Sequence, residues 1–175
     1  MKGRVEMLRL FYQIKDLNFG KLMTLYWESN SLNAQELYSD LDRNTAILRA
    51  EEDFYRYLQE DFFRIPNAAY AVWEENGVYI TALRLEPYQD GLLLEALETH
   101  PEYRNKGFAK RLIRGVLQHL EKQGSTVVYS HISKRNTASL KTHLSCGFQR
   151  VSEQAAYIDG SVTNRACTMQ YTAGG

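Results

Sequence analysis

Residues 92–123 form a unit of one strand, a short loop and one helix, and this unit constrains the fold more than any other stretch. The strand reads "LLLEALET", and the helix over about 105–123 repeats apolar residues every four positions from Phe108 to Leu120. That spacing places them on one face of a helix. Gly107 stands in the first turn, where glycine costs about 1 kcal/mol relative to alanine. The unit predicts an α/β protein that requires a bare backbone at one helix N-terminus.

Further strands and helices are predicted on both sides of this unit. Asn76-Gly77 separates two apolar runs and is typical of a tight hairpin. Asp16 is predicted to cap the first helix, and a break is expected near Asp42–Asn44 in the second. The other predicted strands cover 4–14, 68–75, 78–86, 126–132, 148–158 and 164–171, and the other helices cover 17–29, 33–63 and 136–146. The order β-α-α-β-β-β-α-β-α-β-β indicates a mixed α/β sheet with helices on its faces.

Length and charge limit the classes of protein that this chain can be. Its 175 residues fit one domain, expected over 1–172 with 173–175 as a loose tail. Basic and acidic residues balance at 21 each, so no overall field favours a nucleic acid or a membrane as partner. No apolar run approaches the ~20 residues of a membrane span, and the N-terminus has no apolar signal core. We therefore expect a cytoplasmic protein.

The two cysteines give no sign of a disulfide framework or a metal site. Cys146 and Cys167 lack the spacing of metal ligands, and a single pair of cysteines does not define a framework. Both are expected to be reduced thiols. No metal is predicted.

The loop before the helix has the features of an anion site. A helix N-terminus carries unpaired N–H groups and about half a positive charge. Glycine lets a phosphate approach that backbone closely, and Lys106, Lys110 and Arg111 add positive charge. Neither a Walker loop nor a dinucleotide fingerprint is present. The stretch "RNKGFAK" therefore predicts a phosphate or pyrophosphate site.

A second set of residues follows in the next predicted helix. Asn136 can cap this helix, and Ser139 and His143 are i, i+4 neighbours on one face. With both sets in place, the chain resembles the GNAT acetyltransferase superfamily, which transfers an acetyl group from acetyl-CoA to an amine. The lead-in "HPEY" is also typical of that family.

Two family motifs carry the resemblance. The pyrophosphate motif Gln/Arg-x-x-Gly-x-Gly/Ala matches residues 104–109 at every constrained position. The later motif Asn-x-x-Ala/Ser-x-x-x-Tyr-x-x-x-Gly-Phe matches at Asn136, Ser139, Gly147 and Phe148. The resemblance implies a single domain with a mixed, mostly antiparallel central sheet of about seven strands and helices on both faces. The helices before the hairpin, where the family binds acceptors, match nothing specific.

The resemblance also implies where acetyl-CoA binds. Backbone groups of the strand before the loop pair with the pantetheine arm, and amides of the loop hold the pyrophosphate. Asn136 contacts the pantetheine or orders the facing loop. The residues implied in coenzyme binding are Leu97, Glu98, Thr99, Arg104, Asn105, Lys106, Gly107, Phe108, Ala109, Lys110, Asn136 and Ser139.

Direct acetyl transfer requires a neutral amine and a polarised thioester carbonyl. A strand N–H near Leu97–Thr99 is expected to polarise the carbonyl. Strand alternation is expected to place Glu95 on the face of Leu97 and Thr99, with Glu98 on the opposite face. Glu95 is the predicted base, and the alternative is a rim carboxylate that attracts a cationic acceptor.

The departing thiolate also requires a proton, and here the chain departs from the family. The usual Tyr, seven residues after the Asn, is replaced by His143. Three roles stay open for His143: the acid, a hydrogen-bond donor only, or an inert residue of the helix face. If His143 is inert, a tyrosine or water would supply the proton to the thiolate. The candidate tyrosines are Tyr103, Tyr129 and Tyr157.

The leading hypothesis is an N-acetyltransferase that transfers acetyl directly to a primary amine in a ternary complex. The acceptor is a small-molecule amine or a protein N-terminus or lysine. The alternative is a catalytically weak acyl-CoA-binding or sensing module, which the missing Tyr favours. A homodimer is compatible with the family, and the sequence does not decide it.

Overall fold

The computed structural model describes residues 6–124 and 127–174, which form one large sheet with helices on both faces. The helices are α1 (Phe19–Leu25), α2 (Trp27–Leu37), α3 (Arg43–Glu60), α4 (Phe108–Lys122) and α5 (Thr137–Ser145). The strands are β1 (Glu6–Phe11), β2 (Ala69–Glu75), β3 (Val78–Tyr88), β4 (Gly91–Thr99), β5 (Val127–Ser133), β6 (Gln149–Ser152), β7 (Ala155–Ala156), β8 (Val162–Thr163) and β9 (Ala166–Thr172).

The large sheet has seven strands in the order β1-β2-β3-β4-β5-β9-β6. Every neighbouring pair is antiparallel except β4 and β5, which are parallel. The predicted mixed, mostly antiparallel sheet is therefore confirmed. The predicted hairpin is also present, because Asn76 and Gly77 both have positive φ, 50° and 80°, between β2 and β3. Two positive values fit the turn that joins twisted antiparallel strands.

The N-terminal helices differ from the prediction in two places and agree with it in a third. Asp16 lies in a short 3-10 turn, and Asn18 caps α1 instead by accepting a hydrogen bond from the Lys21 amide. The helix expected at 33 already begins at Trp27. The expected break is present, because Asp42 accepts hydrogen bonds from the first amides of α3. An oxygen acceptor before the first turn satisfies amides that have no partner within the helix.

The C-terminal strands are shorter than predicted. The segment 148–158 contains β6 and β7 with a break between them, and β7 pairs with β8 in a small separate sheet. Residues 173 and 174 form a turn after β9. The predicted positions 4, 5, 126 and 175 lie outside the described residues.

Two apolar cores lie on opposite faces of the sheet. The amphipathic α4 buries Leu112, Ile113 and Val116 against one face, together with Phe148 after α5. Helices α1 and α3 cover the other face, where the largest buried ring is that of Tyr70. Within the described ranges, none of the helices combines the length and the apolar character required to cross a membrane.

Candidate active site

A cavity of about 630 Å³ lies where the end of β4, the loop before α4 and the start of α5 meet. The predicted coenzyme-binding residues that line it are Leu97, Glu98, Thr99, Arg104, Asn105, Gly107, Phe108, Ala109, Lys110, Asn136 and Ser139. The fold thus brings together two motifs that are about 30 residues apart in sequence. Lys106 is not among the lining residues.

The loop before α4 turns through two left-handed residues. Asn105 has φ 60°, and Gly107 has φ 80° and stands at the N-cap of α4. A Cβ added at Gly107 would have no heavy atom within 4 Å. Glycine is therefore favoured by the backbone conformation, and the space in front of the helix N-terminus is open to a ligand. The first amides of α4 have no partner within the helix, which suits them to an anion.

Two basic side chains of the loop point elsewhere. The Lys106 ammonium donates to the Glu102 carbonyl at 2.9 Å and lies over the Tyr103 ring. The Arg104 guanidinium donates to Glu28 on α2 at 2.7 Å and to the Thr99 carbonyl at 3.1 Å. Arg104 thus ties the end of β4 to α2. The charged ends of both side chains thus already have protein partners.

Asn136 caps α5, because its side chain accepts a hydrogen bond from the Ser139 amide at 3.0 Å. The face of α5 that lines the cavity carries Ala138, Ser139 and Thr142. His143 is not part of that face. It is 1% exposed, and its ring packs against Phe148 with centroids 5.0 Å apart. His143 thus lies in the core and outside the cavity lining, and of the three roles left open for it this position favours the inert one.

The hydrogen bonding of His143 also argues against an acid. Its Nδ1 lies 2.9 Å from the Ser139 carbonyl, so Nδ1 carries the proton and donates it there. Burial lowers the pKa of His143, which keeps the ring neutral. Nε2 then holds a lone pair, and it is buried without a hydrogen-bond partner. A neutral ring in this tautomer has no second proton to give. Of the substitute tyrosines, Tyr103 lines the cavity.

Strands β4 and β5 separate beside the cavity. Their pairing runs from Leu92–Val128 to Leu94–Ser130 and goes no further along these two strands. At the same level β4 contains a bulge, because Arg84 pairs with Glu95 and Ala82 pairs with Glu98. Ala96 in the bulge has φ 52°. The bulge leaves backbone of β4 facing the gap between the two strands.

The bulge overturns the expected alternation on β4. Glu95 lies 3.3 Å from Arg84, whose guanidinium stacks over Tyr57 on the α3 side. The Glu98 carboxylate accepts from Ser29 of α2 at 2.8 Å, whereas Leu97 packs against the α4 core. Glu95 and Glu98 therefore share one face, and Leu97 lies on the opposite face. One extra residue in a strand reverses the faces of all residues after it.

Glu86 on β3 is a candidate functional residue that the sequence motifs do not indicate. It is 7% exposed, and burial together with the neighbouring Glu95 carboxyl raises the pKa of Glu86 to about 7. Arg84 is also largely buried and lies beside Glu95. Charged residues at alternate positions of a central strand, Arg84 and Glu86, are the signal that could have identified this polar site.

Tyr129 and His131, two positions apart on β5, lie on the same side of that strand among other aromatic side chains. The His131 ring contacts Tyr88 and Tyr157 edge to face, with centroids 5.3 and 5.1 Å apart. The Tyr129 hydroxyl donates to Asp90 at 2.6 Å. Among residues 6–124 and 127–174, no three His, Cys, Asp or Glu side chains are grouped so that they could hold a metal ion.

Solved structures with the same fold come from several acetyltransferases. The PaiA N-acetyltransferase of Thermoplasma acidophilum, in complex with coenzyme A, is 15% identical, with a TM-score of 0.62 over 95% of this chain and 99% of that chain. The ribosomal-protein-S18-alanine N-acetyltransferase of Escherichia coli is 14% identical, with a TM-score of 0.61 over 96% and 94%. A spermidine N-acetyltransferase SpeG chimera from Vibrio cholerae and hSSAT is 18% identical, with a TM-score of 0.60 over 95% of each chain.

At such low identity these structures establish the fold alone. A search of curated protein sequences returned no match. The profile of the Acetyltransferase (GNAT) family, however, matches residues 17–148, which include both the glycine loop and the Asn136 motif. This chain therefore belongs to the GNAT family of acetyltransferases, whose members take the acetyl group from acetyl-CoA.

Proposed function

We propose that this enzyme transfers the acetyl group of acetyl-CoA directly to a primary amine while both substrates are bound. The observation that carries the proposal is the cavity of about 630 Å³ at the point where β4 and β5 separate. A coenzyme entering from the α4 side would bring its thioester into this gap. Glu95 and Glu98, on the opposite face of the sheet, would meet the amine there.

The coenzyme would be held mainly by backbone groups. The amides from Asn105 to Lys110 would hold the pyrophosphate, because the space beside Gly107 is open and the first amides of α4 have no partner within the helix. The exposed backbone of Leu97–Thr99 offers the pantetheine amides the hydrogen bonds of an added strand. Asn136 would order the facing side through its cap of α5.

In the proposed reaction the amine nitrogen attacks the thioester carbonyl carbon, and the carbonyl oxygen becomes an oxyanion that accepts from the Leu97 N–H. Collapse of this intermediate breaks the C–S bond, and the sulfur leaves with the electron pair. Glu95 takes the amine proton, directly or through water. The thiolate takes its proton from water, because the Nδ1 proton of His143 is bonded to Ser139.

Direct transfer is favoured over an acetylated enzyme by the state of the cysteines. Cys146 and Cys167 are both buried and free. Burial raises the pKa of the Cys146 thiol, which lowers the thiolate fraction. Neither has the exposure of a typical nucleophilic cysteine.

The acceptor is proposed to be a cationic amine. Glu86, Glu95 and Glu98 lie on one face near the gap. Arg84 pairs with Glu95 and Arg104 lies 3.8 Å from Glu98, so three carboxyl groups stand beside two guanidinium groups there. Spermidine and a ribosomal-protein alanine occur in the names of two enzymes with this fold. A polyamine and a peptide N-terminus are therefore the first acceptors to test, followed by lysine, free amino acids and aminoglycoside-like amines.

The burial of His143 favours a second candidate, a module that binds acyl-CoA with little catalysis. Two measurements separate the candidates. Calorimetry with acetyl-CoA shows whether the coenzyme binds. Release of coenzyme A thiol with the amine panel then shows whether it reacts. Binding together with amine-dependent release supports the enzyme, and binding without release from any amine supports the module.

A further inference from the structure

Tyr26 joins the helical layer to the bulge of β4. It stands between α1 and α2, and its hydroxyl donates to the Ala96 carbonyl at 2.6 Å. The Tyr26 oxygen in turn accepts from the Tyr70 hydroxyl on β2 at 2.9 Å. Tyr26 is 6% exposed and Tyr70 is fully buried. Three separate elements thus meet in one hydrogen-bonded chain that ends on the backbone of β4.

The carbonyl at the end of this chain belongs to a backbone conformation that needs support. Ala96 has φ 52°, which is uncommon for a residue with a side chain. Neither Ala96 nor Leu97 has a registered partner on β3. The hydrogen bond from Tyr26 holds the orientation of this peptide group in place of the regular ladder.

The orientation of that peptide group decides where the Leu97 N–H points. In a trans peptide the carbonyl of one residue and the N–H of the next point in opposite directions. Tyr26 fixes the Ala96 carbonyl toward the helical layer of α1 and α2, so the Leu97 N–H points away from that layer. Leu97 lines the coenzyme cavity on the other side.

We propose that Tyr26, backed by Tyr70, is a positioning residue for acetyl transfer, because it holds the Leu97 N–H toward the thioester oxygen. The inference rests on the proposed function. The tyrosine touches neither substrate. Its hydroxyl fixes the donor that stabilises the oxyanion when the amine adds to the carbonyl carbon, before the sulfur leaves with its electron pair. A donor that is oriented in advance needs no reorganisation during the reaction.

Burial raises the pKa of Tyr26 and Tyr70 well above that of an exposed tyrosine. Both hydroxyls therefore stay protonated over the whole working range, and Tyr26 remains a donor. The loss on removing the Tyr26 hydroxyl should accordingly be the same at each pH, unlike the loss on removing a base.

The test compares Tyr26→Phe and Tyr70→Phe with Tyr79→Phe as a matched control. Tyr79 is 3% exposed, lies in the same core, and its hydroxyl accepts a hydrogen bond from the Asn18 amide. Loss of one oxyanion donor typically lowers kcat about 10²–10³-fold. Because Tyr26 acts through another group, we expect Tyr26→Phe to lower kcat about 10–100-fold and Tyr70→Phe to lower it less. Acetyl-CoA affinity should stay unchanged in both, and Tyr79→Phe should match the parent.

The direct readout is the infrared stretch of acetyl-CoA labelled with ¹³C at the carbonyl and bound to the enzyme without acceptor. A hydrogen bond from the Leu97 N–H lowers this frequency in the parent, and Tyr26→Phe should return it toward the value of free acetyl-CoA. An unchanged frequency and kcat in Tyr26→Phe would overturn the inference and leave the proposed function intact. A free-like frequency in the parent would overturn the coenzyme placement as well. If Tyr26→Phe does not fold, Tyr70→Phe takes its place in the test. A carbonyl frequency shifted toward that of free acetyl-CoA would support the inference, and a parent-like frequency would overturn it.

Discussion

One guanidinium, that of Arg84, lies beside two carboxyl groups near the reaction gap. Arg84 pairs with Glu95 at 3.3 Å. Glu86 lies beside the same pair, and burial and the Glu95 carboxyl raise the pKa of Glu86 to about 7. Glu86 can therefore hold a proton below neutral pH, and Glu95 is the carboxylate paired directly with the guanidinium.

Replacing Glu95 by Gln should lower turnover most at low pH, where the amine is protonated and needs a base. Acetyl-CoA affinity should hardly change, since the carboxylate lies on the face opposite Leu97. The measurement is the pH profile of kcat/KM together with calorimetry. Glu74→Gln is the matched control, because Glu74 is a partly buried carboxylate paired with Arg9 and Lys21, away from the cavity. An unchanged profile with only a raised acceptor KM would make Glu95 a rim charge.

His143→Phe should leave kcat within about twofold of the parent, because the ring lies outside the cavity and packs on Phe148. A catalytic acid would instead contribute ~10²–10⁴-fold. Steady-state kinetics with the best acceptor distinguish the two. A loss of that size would restore His143 as the proton donor and contradict its burial in the coenzyme-bound state.

The same variant should change how stability depends on pH. Burial lowers the pKa of His143, so below about 6.5 the unfolded chain takes up a proton that the folded chain does not. The contribution of His143 is complete above that pH and is lost as the pH falls. Denaturant unfolding should show the parent losing more stability than His143→Phe between pH 7 and 5. Equal slopes would mean that the buried ring is protonated as easily as a free one.

Residue types could be predicted from the sequence more readily than their orientations. The spacing of Asn136 and Ser139 predicted a helix cap, and the Asn136 side chain accepts from the Ser139 amide. The spacing did not reveal which side of α5 faces the core, so three roles stayed open for His143. That choice is made by the neighbouring Phe148, and packing partners of this kind are not encoded in local periodicity.

The loop and first turn of α4 form the element that holds the proposed pyrophosphate. Its amides are left open because Gly107 caps the helix with its backbone alone. A side chain at this position would meet no protein atom within 4 Å. It would instead occupy the space proposed for the ligand.

Gly107→Glu should weaken acetyl-CoA binding by at least about tenfold, through a side chain and a negative charge at the helix N-terminus. Calorimetry with acetyl-CoA measures this. Gly124→Glu is the matched control, since Gly124 has φ 81°, also has no atom within 4 Å of an added Cβ, and follows the other end of α4. Both variants carry the same backbone strain and charge change. Equal affinities in the two would show that the pyrophosphate binds elsewhere.

At the level of elements, the order of helices and strands was predictable, but the bulge was not. The stretch "LLLEALET" reads as a regular strand, and alternation then separates Glu95 from Glu98. The bulge depends on the pairing of β4 with β3 and on the hydroxyl of Tyr26, 70 positions earlier in sequence. Contacts between residues so far apart leave no local pattern.

In the proposed arrangement the two substrates bind on opposite sides of one sheet. Helices α4 and α5 cover the face with the coenzyme cavity, and α1 to α3 cover the face with Glu95 and Glu98. The separation of β4 and β5 provides an opening between the two sides. We propose that both substrates are bound together and that the acetyl group passes through this opening without a covalent enzyme intermediate.

The initial rate of thiol release, measured with acetyl-CoA and the best amine both varied, tests this claim most directly. Direct transfer in a ternary complex predicts double-reciprocal lines that intersect, because the slope for one substrate depends on the concentration of the other. Parallel lines, together with release of coenzyme A before the amine is added, would show an acetylated enzyme and contradict the account.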